Sequence, residues 1–383
     1  MIINALSQSP GKLSNISEAR DTKTMQKLLS SQEKILDVLD AGTTMRFLTA
    51  YQAINKDERI LTGTARMCER PIEILVNSLT EIGANIEYQK DEGYPPILLK
   101  AFSDQKKKDI AVRGDISSQY ISALLMIAPV LPQGLNITLT GRVMSRPYIE
   151  MTRKLMERFG VKTEWVDNVI KISSQSYSSG EYTIESDWSG ASYWYSFVAL
   201  AETAEVKLLG LRKNSWQGDI KIAEIMSSLG VESTFLEDGV ILTKTDHKSK
   251  VEIDFSNCPD LAQTVCVVCA IKGIRCEMVG LESLRIKETD RIAALQNELA
   301  KIDAKLLETE ENSKWELIPR DLSKPVNKSI TFDTYHDHRM AMALAPVCTQ
   351  TNIIIDDPSV VNKSYPGFWN DLEKVGIKLE QVL

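Results

Sequence analysis

The sequence has little of several things, and each shortage narrows the field. No apolar run in the 383 residues approaches the ~20 needed to span a bilayer. The N-terminus has no basic stretch followed by an apolar core and cleavage site, so nothing points to export. We therefore expect a cytoplasmic protein with no membrane partner. Positive charge is in deficit: the formal net charge is −7, which argues against nucleic acid as the main partner. Only six cysteines and three histidines are present. Cys266 and Cys269 form a C-x-x-C with no second pair, inside an apolar stretch. They read as core thiols, so we expect no metal site. With 43% hydrophobic and 25% charged residues, the chain has the composition of an ordinary globular protein of about two domains.

What is present is a repeat. A small or polar cluster runs into an apolar helix at Asp40 (DAGTTMRFLTAYQ), Ser117 (SSQYISALLMIAPV), Ser189 (SGASYWYSFVALAE), Pro259 (PDLAQTVCVVCAI) and His336 (HDHRMAMALAPVC). The period is roughly 70 to 77 residues, too long for most solenoids and closer to a small subdomain. A second, amphipathic helix follows about 29 residues after each start, from Arg70, Arg146, Gly218, Glu288 and Tyr365. Most of these stop at Gly83, Gly160, Gly230 or Gly376, with Asp303 in that place once. Short β-rich runs follow: ANIEY, VKTEW, VESTF and IKLE. The first helices are apolar nearly all round, so they should be buried. The unit is helix and strand in one core, a mixed α/β fold. Asp21 opens DTKTMQKLLSS, which reads as the second helix of a further unit, with MIINALS as the tail of its first. The expectation is an N-terminally incomplete first repeat that lacks strands. The Ser/Gly-rich stretch SSQSYSSGEYTIES suggests domains of 1–183 and 184–383.

Helix N-termini expose free N–H groups and favour anions. Here cations collect beside them: Arg46, Arg70, Lys287, Arg291 and Arg339, with Lys363 before the last helix. Capping explains Ser, Thr and Asp at helix starts, but not Arg and Lys, which the dipole disfavours there. A multiply anionic small molecule is the expected partner. Two carboxylates stand among the cations. Asp260 heads an apolar helix and Glu288 lies between Lys287 and Arg291, which at i, i+4 would share a helix face. Two carboxylates in different surroundings suit a reaction that removes one proton and adds another. A helix cap at Asp260 and a surface ion pair at Glu288 stay open as the plainer reading.

DAGTTMR, LTGTARMCERPI, SSQYISALLM, SRPYI, NSWQGDI, RIKETDR, DHRMAMA and the NKSYPGFW region together resemble the enolpyruvyl transferase family, in its order and over nearly the whole chain. The resemblance implies a two-domain inside-out α/β barrel built of six βαβαββ repeats. It implies transfer of the enolpyruvyl group of phosphoenolpyruvate to the 5-hydroxyl of shikimate 3-phosphate, by a monomer that needs no cofactor. Carried over by position, Ser117, Ser118, Gln119, Ser145, Tyr148, Asp260, Ser283 and Lys287 would hold shikimate 3-phosphate. Gly42, Arg70, Gln119, Arg291, Arg339 and Lys363 would hold phosphoenolpyruvate. Asp260 would accept the hydroxyl proton, and Glu288 would protonate the methylene carbon with help from Lys363. The chain departs from the family at Asp40 and Ser283, where Asn is usual. It also contains no S-K-S-x-S-N-R segment, which in the family supplies a Lys, an Arg and a Ser. The expectation is a shortened chain of weakened activity, since each lost charge-assisted contact is worth about 1.5–3 kcal/mol. The sister enzymes acting on UDP-N-acetylglucosamine carry a loop cysteine five residues before their Arg-Pro. Ala65 stands there, so that substrate is not expected.

Overall fold

A computed structural model describes residues 1–115, 117–326 and 329–381. Two compact units divide the chain, Met1–Ile184 and Glu185–Leu383, each with its own apolar core.

Within each unit one pattern recurs. A strand leads to a buried helix, which returns to a second strand parallel to the first. An outer helix follows, then a hairpin that adds antiparallel strands. In the first unit, Ile35–Asp37, Arg59–Thr62, Ile97–Leu99 and Ile86–Tyr88 form one sheet in that spatial order. Asp109–Arg113, Leu135–Thr140, Val169–Ile172 and Glu164–Val166 form another. In the second unit the order is repeated by Lys250–Asp254, Arg275–Val279, Lys314–Ile318 and Lys305–Glu310. A three-stranded sheet, Glu205–Leu209, Gly239–Lys244 and Val231–Phe235, and the parallel pair Ile330–Phe332 with Ile353–Ile355 complete that unit.

The buried helices are Gly42–Ala53, Ser118–Ile127, Trp188–Leu200, Ala262–Lys272 and His338–Leu344. In Ala262–Lys272 every residue from Ala262 to Ile271 is buried, Cys266 and Cys269 included. Burial pushes both thiols well up, which keeps them protonated and unreactive. The outer helices Glu73–Ile82, Arg146–Arg158, Lys221–Leu229, Arg291–Ala300 and Phe368–Lys374 bury one face each. At the ends of these helices the backbone turns left-handed at Gly160, Gly230 and Gly376 and at Asp303 (φ 58°), as the sequence suggests.

Four sequence expectations need correction. IKLE (377–380) is not a strand; although its residues alternate, it pairs with no neighbour among the described residues, and strands need one. The first repeat is not devoid of strands: Leu13–Ser14 lies between its helices Ile2–Leu6 and Arg20–Leu29 and pairs in parallel with Tyr182–Thr183. The helix expected from Glu288 begins at Arg291, because the Asp290 carboxylate takes the N–H groups of Ile292 and Ala293 at 3.0 and 3.1 Å. Lys287 and Arg291 therefore do not share a helix face. The helices expected from Arg70, Gly218 and Tyr365 likewise begin three residues later, at Glu73, Lys221 and Phe368.

Candidate active site

Every candidate residue lies in a stretch between the C-terminal end of a parallel strand and the first turn of the buried or outer helix that follows it, although the short helix Ala65–Cys68 intervenes before Arg70. Gly42 follows Ile35–Asp37 and Arg70 follows Arg59–Thr62. Ser117, Ser118 and Gln119 follow Asp109–Arg113; Ser145 and Tyr148 follow Leu135–Thr140. In the second unit, Asp260 follows Lys250–Asp254, while Ser283, Lys287, Glu288 and Arg291 follow Arg275–Val279. Arg339 and Lys363 follow Ile330–Phe332 and Ile353–Ile355. Because the two strands of each pair are parallel, both of their following loops emerge at one edge of that sheet.

In the first unit, helix Gly42–Ala53 starts without a side-chain cap, behind Ala41. The N–H groups of a helix's first turn have no partner within the helix, and anions are favoured there. Arg70 stands over this helix start: a Cβ added to Gly42 would lie 2.7 Å from Arg70 Nη1 and 2.9 Å from Arg46 Nη1. A side chain at this position would have to displace a guanidinium, so glycine permits the close approach. Arg46 is buried and donates to the carbonyls of Gly42 (3.0 Å) and Pro71 (3.4 Å), so it braces the loop that carries Arg70. The next buried helix is drawn alongside, as Gln119 Nε2 donates to Thr43 Oγ1 at 3.0 Å and Tyr120 Oη to the Pro71 carbonyl at 2.6 Å. Ser117 caps that helix through Gln119 N. Ser145 sits at the start of Arg146–Arg158 in the left-handed region (φ 53°), an uncommon conformation for a non-glycine residue. Thr152 Oγ1 ties that helix to Ser122 Oγ at 2.9 Å.

The second unit holds a tighter cluster. Asp260 accepts from Arg291 Nη1 at 2.9 Å and from Arg339 Nη2 at 3.0 Å, with Lys287 Nζ at 3.5 Å. Glu288 accepts from Arg291 Nη2 at 2.9 Å. Neither carboxylate is a helix cap or a surface pair; Arg291 between them is 1% exposed. Burial alone would raise the Asp260 carboxyl, but Arg339, Lys287 and Arg291 outweigh it and hold the group well below the usual carboxylate range. Burial likewise works against the Arg291 charge, yet Asp337, Glu288 and Asp260 keep it firmly protonated. Ser283 lies on the short turn Glu282–Ile286 just before Lys287. Lys363 is buried at the end of the turn Pro358–Lys363, which packs on helix His338–Leu344.

Sequence reasoning missed three contributors. Asp337 is fully buried and grips Arg291 through Nε (2.7 Å) and Nη2 (3.2 Å), while also capping the helix through Arg339 N (2.9 Å). The signal was there in D-H-R-M, where an Asp caps a helix that carries a cation in its first turn. Tyr193, on a different buried helix, accepts from Arg339 Nη1 at 3.5 Å. The Gln263 carboxamide, turned with its nitrogen toward the Asp260 carbonyl and its oxygen toward Arg291 Nε, would bridge the two at 3.2 Å each. No spacing rule would have found these two.

Repeated strand–helix–strand units define a mixed α/β fold, and their loops carry guanidinium, ammonium and carboxylate groups. The comparisons give the family. The model for EPSP synthase (3-phosphoshikimate 1-carboxyvinyltransferase) matches residues 1–372, so the chain belongs to the EPSP synthase family. It is 45% identical to the 3-phosphoshikimate 1-carboxyvinyltransferase of Bacteroides fragilis strain YCH46 over 384 aligned residues, covering 99% of this chain and 92% of that one. The enzyme of the same name from Vibrio atlanticus is 34% identical, covering 91% and 81%. The solved EPSP synthase of Acinetobacter baumannii shares the fold, with a TM-score of 0.76 at 18% identity over 99% of this chain and 93% of that one.

Proposed function

We propose that this chain transfers the enolpyruvyl group of phosphoenolpyruvate to the 5-hydroxyl of shikimate 3-phosphate and releases phosphate. The observation that carries the reading is the carboxylate of Asp260 held between Arg291 and Arg339, with Glu288 on the same arginine. Such a set offers cations for an anionic substrate and two carboxyl groups for proton traffic. Family membership and the names of the relatives supply the substrates.

In this reading Ser117, Ser118, Gln119, Ser145 and Tyr148 of the first unit, and Asp260, Ser283 and Lys287 of the second, serve shikimate 3-phosphate. Gly42, Arg70 and Gln119, with Arg291, Arg339 and Lys363, serve phosphoenolpyruvate. Asp260 takes the hydroxyl proton as the oxygen attacks the enol carbon. Glu288 delivers a proton to the methylene carbon, assisted by Lys363. Loss of a proton from the resulting methyl group and of phosphate then restores the double bond. The chemistry is proton transfer among side chains, so no cofactor is invoked. We further propose a cytoplasmic monomer whose repeats close as inside-out α/β barrels.

Phosphate release with both substrates tests this. Release should require both, and Asp260→Asn and Glu288→Gln should each lower kcat by about 100-fold or more. No release with both substrates, or release when UDP-N-acetylglucosamine replaces shikimate 3-phosphate, would reject the reading.

A further inference from the structure

The segment before helix His338–Leu344 turns sharply. Asp337 N donates to the Thr334 carbonyl at 2.8 Å, and the two residues between them have positive φ: Tyr335 at 54° and His336 at 55°. A four-residue turn closed this way with two left-handed centres has the pattern of a type I′ turn, which favours Asn and Gly. Tyr and His both carry a Cβ that this conformation penalises. Such a turn persists only where its surroundings over-determine it. His336 does little of this, since its side chain is 94% exposed and its Nδ1 stands 3.6 Å from Asp357.

The grip comes from Glu298, which is fully buried in helix Arg291–Ala300. Its Oε1 accepts from Tyr335 Oη at 2.7 Å and its Oε2 from Asp333 N at 3.0 Å. Lys301 Nζ pairs with Glu298 Oε2 (2.7 Å) and reaches the Thr331 carbonyl (3.0 Å) and Asp333 Oδ2 (2.9 Å). One helix therefore holds the turn at two places. Arg291 at its start grips Asp337, and Glu298, two turns on, grips 333–335. The turn ends on Asp337, which orients Arg291, and two residues on comes Arg339, which faces Asp260.

We propose that Glu298 is a positioning residue: it holds the strained 334–337 turn so that Arg339 and Arg291 are fixed relative to each other for the phosphoenolpyruvate anion. This rests on the reading that those two arginines bind that substrate. Glu298 touches no substrate itself.

The test uses the full chain carrying Glu298→Gln or Tyr335→Phe, the latter removing one hydroxyl and leaving the buried carboxylate in place. KM for phosphoenolpyruvate should rise about tenfold or more in Glu298→Gln, because small misplacements of binding groups are costly. KM for shikimate 3-phosphate should stay within about twofold. Adding His336→Gly, which relieves the strain directly, should recover most of the loss. Equal rises in both KM values, no rise in either variant, or no rescue by His336→Gly would overturn the proposal. Failure of the functional reading shows separately, as absence of phosphate release by the unmodified chain. The Arg291 Nε–H resonance of the ligand-free protein, assigned with Arg291→Lys, then decides. It should shift in Glu298→Gln, and an unmoved signal would overturn the proposal.

Discussion

Replacing Asp337 tests the electrostatic centre of the second unit most directly. Its carboxylate is fully buried, makes two bonds to Arg291 and caps the helix through Arg339 N. Asp337→Ala removes a cap worth about 1 kcal/mol. It also breaks a buried ion pair, which typically costs about 3–5 kcal/mol. Arg291 retains Asp260 and Glu288, each at 2.9 Å, so the lower end of that range applies. The expected loss is about 4 kcal/mol, a large share of the 5–15 kcal/mol that usually holds a domain together. Asp337→Asn keeps the cap and one acceptor, so it should lose about 1.5–3 kcal/mol. Urea unfolding followed by tryptophan fluorescence is the assay, since Trp188, Trp194, Trp216, Trp315 and Trp369 all lie in the second unit. With a slope of about 2–3 kcal/mol per molar, Asp337→Ala should lower the midpoint by about 1.5 M. The double variant Asp337→Ala, Arg291→Met should be less damaged than the sum of the single changes, because no unpaired buried charge remains. A midpoint shift below about 0.3 M for Asp337→Ala, or an additive double variant, would refute the reasoning.

Three further outcomes follow from the geometry. Gly42→Ala should push aside Arg70, the more exposed of the two guanidiniums crowding that position, and raise KM for phosphoenolpyruvate about tenfold, with a melting temperature nearly unchanged. His338 is buried, which lowers its pKa from the usual 6.5 to about 4. The unfolded chain then binds the extra proton first, so stability should fall as pH drops from about 7 to 4, by on the order of 3 kcal/mol, and His338→Gln should flatten that slope in urea midpoints. Asp260 has the same sign in a lower window: its folded pKa is depressed, so its stabilisation is complete above the unfolded value near 3.9 and is lost only in strong acid. The stability cost of Asp260→Asn should accordingly be constant from pH 5 to 8 in the same assay.

The helices were legible in the sequence because their two apolar patterns differ, one buried all round and one striped. Leu13–Ser14 was not, since two residues show no alternation and their partners Tyr182–Thr183 lie 169 positions away. The run IKLE alternates well but has no partner strand among the described residues, which shows that alternation describes a surface and not a pairing. At the candidate site, Lys287, Arg291 and Arg339 could be named because cations at helix starts are anomalous, and Asp260 and Glu288 because they stand among them. The structure joins them through side-chain contacts, yet through a different local geometry: Asp290 delays the helix, and Lys287 reaches Asp260 from extended backbone. Asp337 escaped because an Asp before a helix is adequately explained as a cap, and it is a cap as well. Tyr193 and Gln263 are brought in by packing of buried helices, which no local pattern encodes.

The sharing of Arg339 and Arg291 with Asp260 has a consequence for how strongly that carboxylate attracts a proton. The arginines are its counter-ions, and they are what keeps its proton affinity low. An anion that docks on Arg339 or Arg291 competes with Asp260 for their charge and their N–H groups. Loading the site is therefore an exchange of counter-ions, and each bond surrendered makes Asp260 more basic. In the proposed reaction the group is a poor base while the site is empty and becomes a competent one as it fills.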